Sequence, residues 1–129
     1  HLVTGLSISL VFQTAHIMPS NEFPSPCNMG GIDSNWTVHQ MNTTSNYAPN
    51  SKVFCWMIGG LNYQIEHHLF PNISHVHYSK ISGIVKQTAS EFGIAYNSEV
   101  TFGKALKQHA RMLQHLGKQK TLQFAHSEL

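Results

Sequence analysis

The chain has 129 residues, of which 41% are hydrophobic and 11% charged, and its net charge is +2 with neutral histidines. This length suffices for one domain with a core of its own. The few charges argue against a disordered tail, and their near balance argues against a nucleic-acid-binding protein. The ten histidines outnumber the eight lysines and arginines, which suggests metal or proton chemistry. Because the chain begins at His1 directly in an apolar run, we expect a fragment of a longer protein.

The first segment, Leu2 to Met18, contains no Asp, Glu, Lys or Arg. As a helix it would be roughly 26 Å long, close to the bilayer's hydrocarbon core of about 30 Å. A buried helix of a soluble domain is the alternative, since polar residues interrupt the run. We favour the end of a transmembrane helix over residues 1–18. Every Lys and Arg follows, from Lys52 onward, so the positive-inside tendency predicts a cytoplasmic region over residues 19–129.

The middle of the chain begins with a Pro/Gly/Asn-rich loop from Pro19 to Asn35. Cys27 and Cys55 indicate free thiols in a reducing compartment, and a single disulfide is the alternative. The second apolar run, Val53 to Leu61, is too short to span a bilayer. It predicts a buried or interfacial helix that breaks at its paired glycines.

The last third of the sequence predicts two helices, and with no strand-rich stretch the expected fold class is all-α. One has an apolar face from Ile81 to Phe92 and ends at Gly93. The second has an apolar face from Phe102 to Leu116 and is expected to end at Gly117. Its other side is basic and contains Lys104, Lys107, Arg111, Lys118 and Lys120. Such a face is most often solvated, and less often it lies on anionic lipid or docks an acidic protein.

A histidine cluster carries the chemistry that the sequence suggests. On a helix, Gln64, His67 and His68 are spaced i, i+3 and i+4, so their side chains share one face. Two imidazoles and an amide there could hold a metal or order its water, and Glu66 would point to the opposite side. Imidazole suits zinc, copper, iron and nickel alike. Such a site needs further ligands, and His16 at the end of the first helix is a candidate.

The simplest alternative for His67 and His68 is a polar helix face without metal. Helix-entry and supporting roles are at least as plausible for His75 and His77 as metal binding. The usual zinc hydrolase motifs are absent, since no H-E-x-x-H or H-x-x-E-H occurs. Structural roles without metal are strongly favoured for the remaining histidines considered, His39, His109, His115 and His126.

The sequence of residues 59–71, GGLNYQIEHHLFP, resembles the third histidine box of membrane fatty acid desaturases. It is most similar to the front-end (delta-6/delta-5-like) branch, whose box starts with Gln. Residues 12–16 resemble the end of that family's last transmembrane helix, and residues 36–48 resemble the segment before the box. Residues 73–78 and 91–94 resemble the C-terminal part of bacterial linoleoyl-CoA desaturase-like proteins.

The resemblance implies the C-terminal part of a four-helix membrane enzyme with a cytoplasmic helical cap and a non-haem di-iron centre. His67 and His68 match iron ligands of the third box, and His16 matches the ligand at the helix end. Gln64 replaces the box's first His and would meet iron directly or through water. No H-x-x-x-H or H-x-x-H-H box occurs in the chain, so we expect the fragment alone to be inactive.

The implied reaction is O2-dependent dehydrogenation of an acyl-CoA or acyl-lipid chain, which introduces a cis double bond. The implied partners are this substrate, O2, the membrane and an electron donor such as ferredoxin or a cytochrome b-type protein. A lipid hydroxylase or sphingolipid desaturase of the same superfamily is the nearer alternative. A non-catalytic, truncated membrane protein is the alternative from another class.

Overall fold

The fold is mainly helical in a computed structural model that describes residues 1–25 and 35–127, with side chains to residue 118. Its elements in chain order are α1 (Leu2–His16), α2 (Trp36–Asn42), β1 (Asn46–Tyr47), α3 (Lys52–Met57), α4 (Gln64–Leu69), a 3-10 turn (His75–His77), α5 (Tyr78–Glu91), β2 (Ser98–Glu99) and α6 (Phe102–Ser127). Cys27 and the middle of the expected loop lie outside the described residues.

The all-α expectation holds apart from one minimal sheet. β1 pairs with β2 in parallel, with Asn46 opposite Ser98 and Tyr47 opposite Glu99. The pairing is a long-range contact between two-residue strands, too short for any alternation of apolar and polar residues to reveal it. It joins the segment between α2 and α3 to the segment between α5 and α6.

Two apolar clusters form the core. The first joins the end of α1 to β1 and α6, with the buried residues Ala15, Met18, Tyr47 and Ala105. The second packs α2 and α4 against α5, with the buried residues Met41, Ile65, Val85 and Ala89. α4 carries the histidine pair, and it is therefore held between α2 and α5, close to the end of α1.

The expected helix boundaries are right at two positions and wrong at one. α5 ends at Glu91, and Gly93 follows with a φ of +67°, as the predicted stop requires. α3 ends at Met57, and Gly59 and Gly60 have φ values of +62° and +75°. α6, however, continues through Gly117. A glycine inside a helix costs about 1 kcal/mol relative to alanine, which does not by itself end it.

The charge-free first segment forms α1, which ends two residues before Met18. Among the residues that the structure describes, no helix is both long and apolar enough to cross a membrane. α3 contains no buried residue, so of the two expectations for this run, the buried helix is wrong.

Candidate metal centre

Three histidine rings from two helices lie next to one another. His16 is the last residue of α1, and its ring centroid lies 5.1 Å from that of His68 on α4. The ring of His67 lies 5.8 Å from that of His68. The structure therefore brings together the helix-end histidine and the adjacent pair, although about fifty residues of chain separate them.

Asn21 fixes the end of α1 and therefore the position of His16. Its Nδ2 donates to the carbonyl oxygens of Ala15 at 2.9 Å, His16 at 3.1 Å and Thr43 at 3.2 Å. Its Oδ1 accepts a hydrogen bond from Ser45 Oγ. The last carbonyls of a helix have no hydrogen-bond donors within the helix. The buried amide of Asn21 supplies a donor to the carbonyls of Ala15 and His16. Sequence reasoning missed Asn21, because its contacts join residues distant in the chain.

Glu66 anchors α4 through its buried carboxyl group. It is fully buried, its Oε2 accepts from Asn46 Nδ2 at 2.8 Å, and its Oε1 accepts from the Tyr96 hydroxyl at 2.8 Å. Asn46 Oδ1 in turn accepts the backbone N–H of Ile65 at 2.9 Å. Burial raises the pKa of Glu66, while the bonds from Asn46 and Tyr96 oppose that shift. The carboxyl thus ties α4 to β1 and to the segment before β2.

His67 has a polar neighbour for its ring, whereas the buried amide of Gln64 has none among the described residues. Nδ1 of His67 lies 3.3 Å from the Tyr78 hydroxyl, at the start of α5. Gln64 is fully buried, and neither atom of its amide has a hydrogen-bond partner among the described residues. The hydroxyls of Thr14 and Thr44 are likewise buried without partners. Buried polar groups are nearly always paired, so these atoms are available to a ligand, a water or a further part of the protein.

Electrostatics favours a neutral ring at His68. Burial, which is the largest cause, acts together with the neighbouring charges of His16 and His67 to lower the pKa of His68 to about 4. A neutral imidazole keeps the nitrogen lone pair that a metal ion needs, whereas a protonated ring has none. This environment disfavours positive charge on the ring and leaves it ready to bind a metal.

An open pocket of about 410 Å³ adjoins His16 and His68. It is lined by His16, Glu22, Phe23, Pro24, His39, Gln40, Thr43, Thr44 and His68. His39 on α2 thus enters the same pocket as the two clustered histidines. The sequence placed His39 near the site only through the resemblance of residues 36–48.

The donor set fits part of a metal centre. Neutral imidazoles suit iron, and the three rings come from rigid helix positions with buried supports. Across residues 1–25 and 35–127, however, no group of three or more His, Cys, Asp or Glu side chains could by itself hold a metal ion. A complete centre therefore needs ligands besides His16, His67 and His68.

The other histidines lie elsewhere. His109 is buried in α6, and its Nδ1 lies 2.9 Å from the carbonyl oxygen of Ile17, where it ties α6 to the end of α1. His75 and His77 are exposed in the 3-10 turn. His115 is exposed on α6, and the side chain of His126 lies outside the described residues.

A comparison with protein families decides the assignment. Residues 1–100, which include all three clustered histidines, match the family model described as "Fatty acid desaturase". The chain belongs to the fatty acid desaturase family. The match confirms the family that the sequence of residues 59–71 suggested.

Several relatives of this desaturase chain are named as 6-desaturases or (8-3)-desaturases of acyl lipids. It is 40% identical to an sn-1 linoleoyl-lipid 6-desaturase of Synechocystis sp., over 92% of this chain and 33% of that protein. It is 43% identical to an sn-1 linoleoyl-lipid 6-desaturase of Arthrospira platensis, over 82% of this chain and 28% of that protein. It is also 40% identical to an acyl-lipid (8-3)-desaturase of Physcomitrium patens, over 90% of this chain and 24% of that protein.

The desaturase chain thus spans about a quarter to a third of the length of these relatives. No solved structure matches it. Its histidine cluster lies within the matched residues, and the activity of the whole protein is therefore a proposal.

Proposed function

We propose that this chain is the C-terminal part of a front-end fatty acid desaturase that introduces a cis double bond into an acyl-CoA or acyl-lipid. The observation that carries the proposal is the packing of the His16 ring against the His68 ring within a chain that matches the desaturase family. The 6- and 8-3-desaturase names of the relatives support the front-end type.

The proposed cofactor is a pair of non-haem irons, for which His16, His67 and His68 supply part of the ligand set. Non-haem iron supplies the activation of O2 that removal of hydrogen from an unactivated carbon requires. Gln64 is proposed to meet the metal directly or through a water, because its buried amide has no other described partner. The remaining ligands belong to other parts of the whole protein.

The residues of this chain contribute positioning and shielding. Asn21 holds His16 through the carbonyl at the end of α1, and Glu66 holds the helix that carries His67 and His68. The pKa of His68, about 4, keeps this ring neutral at physiological pH. His68 is half-buried, which shields one side of its ring, and the open pocket beside it leaves exclusion of water to other parts of the whole protein.

The location proposed for the whole enzyme is integral to a membrane, with its active site on the cytoplasmic side. α1 would be the end of the last transmembrane helix, and residues 19–129 would belong to the cytoplasmic cap. The absence of charge from Leu2 to Met18 supports this placement of α1.

The decisive experiment expresses the full-length protein in a host and measures its lipid profile by gas chromatography with mass spectrometry. We expect His68→Ala to lower desaturation by at least about 100-fold, because even supporting residues of a metal site are worth 10–100-fold. Lys86→Ala, on the exposed surface of α5 and away from both the histidines and α6, is the control and should retain activity. An unchanged profile for His68→Ala contradicts the proposed role.

The same experiment separates the alternatives. A product that gains one oxygen identifies a lipid hydroxylase, and modified sphingoid chains identify a sphingolipid desaturase. A well-folded full-length protein without iron and without product supports the non-catalytic membrane protein.

The proposed electron donor is a separate acidic protein, such as a ferredoxin or a cytochrome b-type protein, that docks on α6. Lys107 and Arg111 are exposed there, while Lys104 pairs with Glu99 at 2.8 Å. We expect Lys107→Glu with Arg111→Glu to slow donor-dependent turnover and to weaken its dependence on salt. Lys86→Glu on α5 is the control. Turnover that the double variant leaves unchanged would exclude this dock.

A further inference from the structure

Helix α3 presents an apolar face that no described residue covers. Val53, Trp56 and Met57 are 73%, 82% and 66% exposed. Their spacing of i, i+3 and i+4 puts them on one side of the helix. Contiguous exposed apolar surface of this kind marks an interaction site rather than ordinary solvated surface. We call these three residues the α3 apolar face.

The packing of α3 beside α1 determines how far along α1 from His16 the α3 apolar face lies. Met57 and Ile58 line a cavity of about 270 Å³ together with Ile8 and Phe12 of α1. At about 1.5 Å per residue, Ile8 and Phe12 lie roughly 12 and 6 Å along α1 from His16. Amphipathic helices at a membrane surface are buried about 5–10 Å in the headgroup–acyl boundary. If α1 leaves the bilayer near His16, α3 therefore lies at about the depth expected of an amphipathic helix in the membrane interface.

The exposed surface continues from α3 onto α1. Leu2 and Leu6 are 86% and 58% exposed, and Ile8 is 53% exposed. α1 carries no charged residue before its last position. α1 is thus apolar and exposed on more than one side, and the α3 apolar face adjoins it where Met57 shares a cavity with Ile8 and Phe12.

The residue types of α3 match a lipid surface. Tryptophan is enriched at membrane–water interfaces, where its ring sits at the headgroup level. Lys52 is exposed at the start of α3 and can extend toward the lipid phosphates. No acidic residue occurs between Asn50 and Leu61 to repel anionic headgroups.

We infer that α3 lies in the membrane interface, with the α3 apolar face immersed at the headgroup–acyl boundary of a phospholipid surface. The inference rests on the proposed function, because it takes α1 as the end of a membrane helix. α3 joins α4 through the Gly59–Gly60 turn. The lipid contact thereby holds His67 and His68 at a fixed height above the acyl chains from which a substrate enters.

The experiment places nitroxide labels on the full-length protein in nanodiscs of phosphatidylcholine and phosphatidylglycerol. Val53→Cys, Trp56→Cys and Met57→Cys are made singly in a background whose native cysteines, including Cys55, are replaced by serine. Electron paramagnetic resonance then compares collisions of each label with O2, which partitions into lipid, and with a water-soluble nickel complex. Lys86→Cys, on the exposed surface of α5, is the aqueous control.

We expect the O2-to-nickel collision ratio at the three α3 positions to exceed that at Lys86→Cys several-fold. A ratio equal to the control would show that the face lies in water and would overturn the inference. Shielding from both reagents would also overturn it, since another part of the protein would then cover the face. Three label positions keep the test decisive if one variant fails to fold.

The outcome is separate from that of the proposed function. Desaturation and iron content of the unlabelled protein test the enzyme, while the collision ratios require neither product nor iron. An active enzyme with a water-exposed α3 overturns this inference alone. An inactive protein with α3 in lipid leaves the inference standing and removes the proposed function.

Discussion

Buried polar side chains, more than the histidines themselves, fix the geometry of the candidate centre. Asn21 satisfies the carbonyls at the end of α1, and Glu66 joins Asn46 and Tyr96 behind α4. Each forms bonds that water would otherwise satisfy, so the cost of losing one is the cost of an unpaired buried group. The imidazoles gain their positions from these neighbours.

Replacement of Asn21 by Asp tests this support at the residue scale. A carboxylate has no N–H to donate, so the carbonyls of Ala15, His16 and Thr43 would lose this donor and face a negative charge. The Ala15 carbonyl would keep only its bond from the Ser45 N–H, at 2.9 Å. We expect the free energy of unfolding of the full-length protein to fall by about 1–3 kcal/mol. The measurement is thermal unfolding in detergent, together with iron content.

Asn97→Asp is the matched control for that variant. Asn97 Nδ2 donates one exposed bond, to the carbonyl of Ser20 at 3.0 Å, so its loss should cost no more than about 0.5 kcal/mol. Equal effects of the two variants would show that the buried amide has no special role at the end of α1.

At the scale of elements, the turn between α3 and α4 joins the exposed apolar helix to the histidine helix. Gly59 and Gly60 both have positive φ values. A Cβ on Gly59 would meet nothing within 4 Å, whereas one on Gly60 would lie 2.9 Å from the Cβ of His75. A substitution at Gly59 therefore tests backbone strain alone, whereas the same substitution at Gly60 tests backbone strain together with the close contact to His75.

Replacement of each glycine by alanine should lower the free energy of unfolding, by less at Gly59 than at Gly60. Gly59→Ala should cost about 1–2 kcal/mol, the strain of a left-handed conformation. Gly60→Ala should cost a further 1–3 kcal/mol or so, because the chain must shift away from His75. Melting temperatures of the full-length variants give the order. A Gly60→Ala variant as stable as Gly59→Ala would contradict the close approach seen here.

The last helix shows where element-level prediction fails. The apolar face from Phe102 to Leu116 is correctly helical, but α6 does not stop at Gly117. Gly93 and Gly117 follow similar apolar faces, yet only Gly93 adopts a positive φ. The chain turns back into the fold after Gly93, toward β2, whereas α6 continues past Gly117 to Ser127.

At the scale of the whole molecule, the histidine cluster couples stability to pH. The folded pKa of His68 is about 4, below its ordinary value of 6.5, because of burial and the nearby His16 and His67. Between these two values the unfolded chain binds more protons than the folded one. Stability should therefore be highest above pH 6.5 and fall as the pH decreases toward 4.

The pH prediction is checked with the full-length protein. Unfolding is followed at several pH values from 7 to 4, for the native sequence and for His68→Gln. We expect a shallower loss of stability in the variant, which has no titrating ring at this position. Parallel curves for the two proteins would show that His68 does not contribute to the acid sensitivity.

The sequence by itself determined the local features of this protein. Helical periodicity predicted α5 and the start of α6, and Gly93 predicted a stop. The spacing of Gln64, His67 and His68 predicted that, on a helix, these three side chains share one face, and residues Gln64–Leu69 do form helix α4. These features depend on residues within a few turns of one another, so a single sequence contains the necessary information.

Tertiary structure decided the features that join distant segments. The pairing of β1 with β2, the cap that Asn21 provides and the bonds of Asn46 and Tyr96 to Glu66 leave no periodic pattern. Their partners are separated by up to about fifty residues, and no local spacing distinguishes a buried Asn or Glu from an exposed one. The meeting of His16 with His68 likewise follows from how α1 packs against the rest of the chain.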